Sequence, residues 1–268
     1  MPEGPEVRIE ADKIAKTVVG KKLKKVWFAF SDLNKKSNRL RNSEISRVYC
    51  KGKGLLITFK CNLSIFTHNQ LYGKWYFTNS NSKPKTNRTL RLELSTDTRS
   101  ALLYSASTIE ILTESGVAEH SYLNSLGLDV LDLETTVSHV YSVFKKKEFN
   151  ARKVAALYLQ QKFLAGIGNY LRSEILFYAK INPFLKLNDL SKAQVKRLGN
   201  QSLAVPRRSY ESKGNTLSKT LFTRAKGRSR FAVFGREGKG CYSCGSKIAK
   251  VILSSRRLYY CPNCQSVS

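Results

Sequence analysis

The sequence begins MPEGPEV, and the second and third residues carry a specific chemistry. A small second residue permits removal of the initiator methionine, which would leave Pro2 as a free secondary amine. Such an amine attacks a sugar's anomeric carbon or an aldehyde. The iminium that results has no N–H proton to lose, so it stays cationic and acts as an electron sink. An α-amino group titrates at about pH 8 and a lysine at about 10.4. A helix N-terminus beside the amine disfavours its protonated form further. Glu3 adjoins that nitrogen, where a carboxyl group could pass protons to a ring oxygen or a leaving base. A plainer reading competes: Pro5 suits a first helical turn and Glu6 suits the positive end of a helix dipole. That reading leaves Pro2 and Glu3 unexplained.

A second constellation lies at the other end. CYSC (241–244) and CPNC (261–264) are separated by sixteen residues. Two tight knuckles supply four thiolates to a tetrahedral zinc ion, and four cysteines leave no position open for water, so the ion expected is structural. A labile redox pair is the alternative. The intervening IAKVILSSRRLYY reads as two strands joined at Ser254 and Ser255, with Arg256 and Arg257 near the tip. Residues 207–257 hold fourteen Lys and Arg against two acids, Glu211 and Glu237. A two-stranded ribbon enters a DNA groove and an arginine fork grips phosphate, which favours backbone contact by Arg256 over a merely solvated face.

A third stretch, LAGIGNYLRSE (164–174), resembles a phosphate loop only superficially. Leu171 holds the third glycine position of GxGxxG and no Walker lysine follows. Two glycines then a helix is the expectation, with Asn169 as its cap. The free amides of that helix start could hold a phosphate; a plain helix hairpin accounts for the pattern equally well.

These groups need elements to position them. Val7, Ala11, Ile14, Ala15 and Val18 recur at helical spacing after Pro5, and Gly20 follows as a C-terminal cap. Runs at 26–30, 46–59, 63–70, 74–79, 89–96 and 101–112, rich in Val, Ile, Thr and aromatics and divided by turn residues, predict a β-sandwich or barrel. From about residue 134 the helical period returns, over 134–144, 151–164, 170–180 and 191–204, the last ending before Pro206. LGLDVLDLE (126–134) is the expected linker. Residues 207–230 are basic and weakly periodic, which predicts a mobile loop. The fold class expected is α+β and multidomain: an N-terminal β-sandwich with an N-terminal helix (1–125), a linker (126–134), a helical domain (135–230) and a C-terminal zinc-ribbon hairpin (231–268).

Composition narrows the function. The 268 residues carry 47 Lys and Arg against 19 Asp and Glu, a net charge of +28, so a polyanion is the natural partner. Hydrophobic content of 41% suffices for a core and excludes a disordered basic tail. No apolar run approaches the roughly 20 residues needed to span a bilayer. The first thirty residues lack the order of a secretory signal. An intracellular protein is expected.

MPEGPEVR, HNQLYGKW (68–75), LLYSASTIEIL (102–112), FLAGIGNYLRSEIL (163–176) and LSSRRLYYCPNCQ (253–265) together resemble the formamidopyrimidine-DNA glycosylase/endonuclease VIII family, in order along the whole chain. YSAS and HNQLYG tilt the resemblance toward the endonuclease VIII branch. It implies a helix–two-turn–helix in the helical domain and a bifunctional enzyme that excises an oxidised pyrimidine from double-stranded DNA. A Schiff base, β-elimination and δ-elimination then cut the strand. On that resemblance Pro2 is the nucleophile and Glu3 the acid/base, and Glu6 is a supporting carboxylate. Lys53, in GKG, is a proton donor aimed at the lesion phosphate. Asn169 and Arg256 grip phosphate. Gln70, Leu71 and Tyr72 are the wedge that fills the gap left by the extruded nucleotide; without the resemblance Leu71 and Tyr72 read as ordinary sheet residues. One structural zinc on Cys241, Cys244, Cys261 and Cys264 is implied, in a monomer working on the nucleoid in a bacterial cytoplasm. Two alternatives stand: a purine-directed formamidopyrimidine enzyme of the same family, and a non-catalytic zinc-ribbon protein that binds nucleic acid.

Overall fold

The structure is a computed structural model that describes residues 2–266. They form two compact units: Pro2 with residues 6–125, and Glu3–Pro5 with the chain from Leu126 onward.

Helix α1 (Gly4–Val18), which lies in the first unit from Glu6 onward, buries Val7, Ala11, Ile14 and Val18, one stripe at the helical period. Gly20 follows at φ +67°, where a side chain is disfavoured. Eight strands come next: β1 (Lys25–Phe28), β2 (Ile45–Lys51), β3 (Gly54–Phe59), β4 (Leu63–His68), β5 (Lys74–Asn79), β6 (Leu90–Ser95), β7 (Arg99–Tyr104) and β8 (Thr108–Thr113). They build two antiparallel four-stranded sheets, ordered β1-β6-β7-β5 and β2-β3-β4-β8. Phe28, Ile57, Ile65, Trp75, Leu94 and Leu103 from both sheets share one core with the α1 stripe, giving the expected sandwich. On the outer face of β4, Phe66 packs against His120 and Tyr122, with ring centroids 4.5 and 5.9 Å away. Two connections bear on function. The β2–β3 hairpin turns on Gly52 and Lys53, with Gly52 at φ +61°. The chain crosses from one sheet to the other between β4 and β5, through residues 69–73.

The second unit begins with β9 (Leu128–Asp129), paired in parallel with β10 (Leu164–Ala165). Helices Val137–Phe144, Asn169–Ala179 and Lys192–Glu211 pack around Val140, Tyr158, Phe163, Leu171, Ile175 and Leu198. Strands β11 (Ala249–Leu253) and β12 (Arg256–Tyr260) make the hairpin expected between the cysteine knuckles. Ser254 and Ser255 sit at φ +53° and +57°, the left-handed pair of a two-residue turn.

Three expectations for this unit fail. The helix predicted over 151–164 shrinks to one turn, Val154–Leu157. Its apolar residues are buried, but on compact turns: the Gln161 amide donates to Ile167 O at 2.8 Å and accepts from Gly166 N at 3.1 Å, replacing helix bonds. The helix predicted to stop before Pro206 runs to Glu211. A proline there removes one backbone donor, yet Leu203, Val205, Pro206 and Ser209 are all buried, and that packing carries the helix through. Segment 207–230 is not irregular. Besides the last turn of that helix it contains helix Lys219–Ala225, and its base is closed by Thr216 N–H on Arg230 O at 3.0 Å. The buried Glu174 carboxylate secures that base, accepting from Thr216 Oγ1 and from the amides of Ala232, Val233 and Phe234 at 2.5–2.9 Å. Its basic residues are spaced around a short helix, which is why no apolar period announces it.

Candidate active site

Pro2 is half-buried and lies two residues before the first helical residue of α1. In the same unit, Lys53 occupies the second position of the β2–β3 turn and is 8% exposed. Its backbone N–H donates to the Tyr122 hydroxyl at 3.1 Å, which fixes the turn from outside the sheet. His68, paired with Gly54 across the strands, has its pKa lowered by burial and by the Lys53 charge. A neutral His68 can accept, and its Nδ1 takes the Gln70 N–H at 3.0 Å. Gln70 stands at φ +47°, donates to Thr108 Oγ1 at 2.7 Å and accepts from Ser107 Oγ at 3.1 Å. Leu71 and Tyr72 follow, 55% and 68% exposed. They are not sheet-face residues; they stand on a turn between sheets, an apolar pair held out to solvent. Glu6, one turn along α1, is half-buried.

The second unit holds Glu3, 3% exposed. Its carboxylate sits on the start of helix Asn169–Ala179. Oε2 accepts from Gly168 N at 2.8 Å and Leu171 N at 3.2 Å, and Oε1 from Tyr170 N at 2.8 Å. Free amides and a positive dipole end make this an anion site, and the chain's own carboxylate fills it. This corrects the expectation that Asn169 caps the helix: Gly168 is the cap residue, and no side chain within the helix closes it. It also explains a glycine. A Cβ at Gly168 would fall 2.4 Å from Glu3 Cδ.

Asn169 instead ties the helix to the hairpin. Its Nδ2 donates to Arg257 O at 2.8 Å and its Oδ1 accepts from Arg172 at 2.6 Å. Arg172 is fully buried, and its guanidinium also reaches Leu253 O and Ala155 O at 3.3 Å and Arg257 O at 3.4 Å. Burial lowers its pKa to about 10; the Glu3 carboxylate opposes that shift and the Arg256 charge adds to it. Arg172 and the exposed Arg256 are thus close enough to repel, a field that an incoming phosphate would relieve.

The four cysteines beyond the hairpin have all their sulfurs within 4.8 Å of one another, with Cys241–Cys264 at 3.9 Å and Cys244–Cys261 at 3.5 Å. A ZnS4 tetrahedron with bonds of about 2.3 Å has edges of about 3.8 Å, so the set fits one zinc ion. Burial raises the pKa of Cys261 and Cys264, and a bound cation would favour their thiolates. Gln265 anchors the knuckle to the helical body, accepting from Cys261 N and donating to Ile181 O, both at 2.9 Å.

Sequence reading missed Arg172, Tyr122 and Gly168. Only Gly168 left a signal, as the second glycine of GIG. Among the described residues no helix is long and apolar enough to cross a membrane.

Known proteins are similar to this chain along its length. The formamidopyrimidine-DNA glycosylase N-terminal domain family matches residues 1–107, and the formamidopyrimidine-DNA glycosylase H2TH domain family matches residues 126–220. The chain is 42% identical to Endonuclease 8 of Pectobacterium atrosepticum over 270 residues, covering 99% of this chain and 100% of that one. Endonuclease 8 of Klebsiella pneumoniae is 41% identical over 269 residues with the same coverage. Among solved structures, Lactococcus lactis Fpg bound to DNA containing N7-benzyl-Fapy-dG superposes with a TM-score of 0.82 at 20% identity, covering 99% of this chain and 100% of that one. The same enzyme bound to DNA containing an abasic site gives 0.81 at 20% identity, covering 98% and 99%. Its complex with DNA containing an oxidised pyrimidine gives 0.82 at 19%, covering 99% and 100%. From the anchored glutamate to the cysteine knuckles, the chain belongs to the formamidopyrimidine-DNA glycosylase/endonuclease VIII family.

Proposed function

We propose that this chain is a base-excision DNA repair enzyme, a glycosylase and abasic-site lyase that removes oxidised pyrimidines from double-stranded DNA through a Schiff base at Pro2. The Pro2 nitrogen attacks C1′ of an extruded nucleotide, and the damaged base leaves with the bonding electron pair. The opened sugar forms an iminium on Pro2. Loss of a C2′ proton expels the 3′ phosphate, and a second elimination expels the 5′ phosphate. Glu3 passes the proton between base or ring oxygen and solvent, and Glu6 supports it. Lys53 donates a proton and meets the lesion phosphate; Asn169 and Arg256 hold the backbone. Gln70, Leu71 and Tyr72 fill the gap in the duplex. Cys241, Cys244, Cys261 and Cys264 would hold a structural zinc ion, which would rigidify the hairpin that carries Arg256.

The observation that carries this reading is the anchorage of Glu3. Three N–H donors immobilise the residue covalently next to Pro2, which suits a nucleophile that must be held at one place. Identity of 41–42% to Endonuclease 8 proteins over the full length supports the pyrimidine preference. The fold does not separate the lesion classes, since the Lactococcus enzyme is solved with both kinds of DNA. We assign catalysis to residues 1–125, linkage to 126–134, the helix–two-turn–helix with its basic segment to 135–230, and the zinc finger to 231–268. We place the protein as a monomer on bacterial chromosomal DNA.

Borohydride reduction on abasic DNA tests the chemistry. A covalent adduct on the Pro2 peptide is expected; an adduct on Lys53, or none, refutes it. Oxidised pyrimidines cleaved no faster than oxidised purines would refute the preference.

A further inference from the structure

The mechanism leaves unused a half-buried carboxylate of the first unit that faces the wedge turn. Glu10 lies on the α1 face toward the β4–β5 crossover. Its Oε2 accepts from Asn69 Nδ2 at 2.6 Å, and the carboxylate also accepts the backbone N–H of Trp75. Asn69 and Trp75, 6% and 4% exposed, are the two feet of the turn that lifts Leu71 and Tyr72 into solvent. Gly73 N closes the turn on Asn69 O at 2.7 Å, and a Cβ at Gly73 would lie 2.6 Å from Asn69 Cα. One carboxylate therefore holds both ends of a turn whose own backbone has no slack.

We propose that Glu10 is a positioning residue for the wedge, its charged carboxylate clamping Asn69 and Trp75 so that the Gln70–Tyr72 turn is rigid enough to enter the base stack. The inference rests on the reading of those three residues as a wedge.

The chemistry is specific to the carboxylate. Two N–H groups converge on it, and an ionised carboxylate has acceptor positions for both. A glutamine offers one oxygen and turns an NH2 toward the second donor. A protonated acid has the same defect, one good acceptor and one hydroxyl. Burial above all, with Glu6 on the same helix, raises Glu10 from 4.5 to about 7 against the opposing effect of Asn69, the Trp75 N–H and Lys13. The clamp is thus charged at pH 8 and mostly neutral at pH 6.

The test places 2-aminopurine beside a tetrahydrofuran abasic analogue in duplex DNA, so that insertion is read as fluorescence without chemistry. At pH 8, wild-type protein at saturation should brighten the base; Glu10→Gln should bind but lose most of that signal. Lowering the pH to 6 should diminish the wild-type signal and leave that of Glu10→Gln unchanged. In parallel, Glu10→Gln should lower excision from duplex about tenfold, the loss of one charged hydrogen bond. It should leave cleavage at an abasic site in single-stranded DNA within about twofold, since there is no stack to enter. Asn69→Ala cuts the same link without touching the carboxylate and should reproduce the defect, which covers the case in which Glu10→Gln does not fold. Equal losses on duplex and single strand, or full brightening with both variants, overturns the clamp. If wild-type protein inserts but never cleaves, the clamp stands and the proposed activity falls.

Discussion

In the proposed function, the turn at 69–73 and the hairpin tip at 253–257 do related work with opposite chemistry. The hairpin displays cations, Arg256 and Arg257, and a buried cation holds its feet: Arg172 donates to the carbonyls of Leu253 and Arg257. The turn displays an amide and two apolar side chains, and a half-buried carboxylate holds its feet: Glu10 accepts from Asn69 and Trp75. A loop tip chosen for its ligand cannot also pack itself, so the order comes from one ionised group beneath it. The sign follows which backbone or amide groups the feet leave unpaired. The hairpin tip was readable from residue types; the turn was readable only through the family resemblance. The groups beneath them were not.

Four further experiments sharpen or break that contrast. Any uncleaved extension before Pro2 should abolish borohydride trapping, a loss of at least about a thousandfold, because an amide nitrogen is not nucleophilic. Both tips should still bind DNA, as read by anisotropy; lost binding would mean the terminus and the tips are not separable. Arg172→Met should come next. It strips a charged donor from the part-buried carbonyls at the hairpin feet and should cost at least about 3 kcal/mol in denaturant unfolding, because several hydrogen bonds from a charged group go, each worth about 1.5–3 kcal/mol. Stability unchanged would mean that the hairpin does not depend on its cation. Arg256→Ala should weaken binding to every DNA about tenfold and flatten the log-salt slope by about one, the mark of one lost phosphate contact. A loss confined to one lesion would move that residue from grip to readout. The smallest effect is a slope. The Glu10 pKa is raised from 4.5 to about 7 in the folded chain, so the native state binds the extra proton between those values. Stability from this group is full below pH 4.5 and is lost as pH rises through 7. Wild-type stability relative to Glu10→Gln should therefore fall from pH 5 to pH 8, by at most about 3 kcal/mol. A flat difference would mean the carboxylate titrates normally and the anion beneath the turn is nothing special.

What the sequence disclosed was local. KWYFTN became β5 without a shift, and Ser254 and Ser255 mark the hairpin turn that the alternation around them implied. The four cysteines declare their site by spacing. The failures were long-range. Glu3 bonds the cap residue of a helix 165 residues later, and Arg172 bonds a carbonyl 81 residues away. Glu10 and Asn69 are 59 apart. No period or propensity encodes such pairings. Apolar spacing over 151–164 imitated a helix face because residues buried on all sides repeat as densely as residues buried on one. Pro206 gave the reverse error, a local veto that tertiary packing overrides.

The missing side chain at Gly168 has a practical corollary. A single methyl there would contend with Glu3 for the same volume and turn the carboxylate away from its amides. Gly168→Ala should thus silence the reaction while every reactive group and every DNA-facing arginine remains in the protein. Such a variant would hold an undamaged snapshot of the enzyme on its lesion, obtained by adding one carbon rather than deleting a functional group.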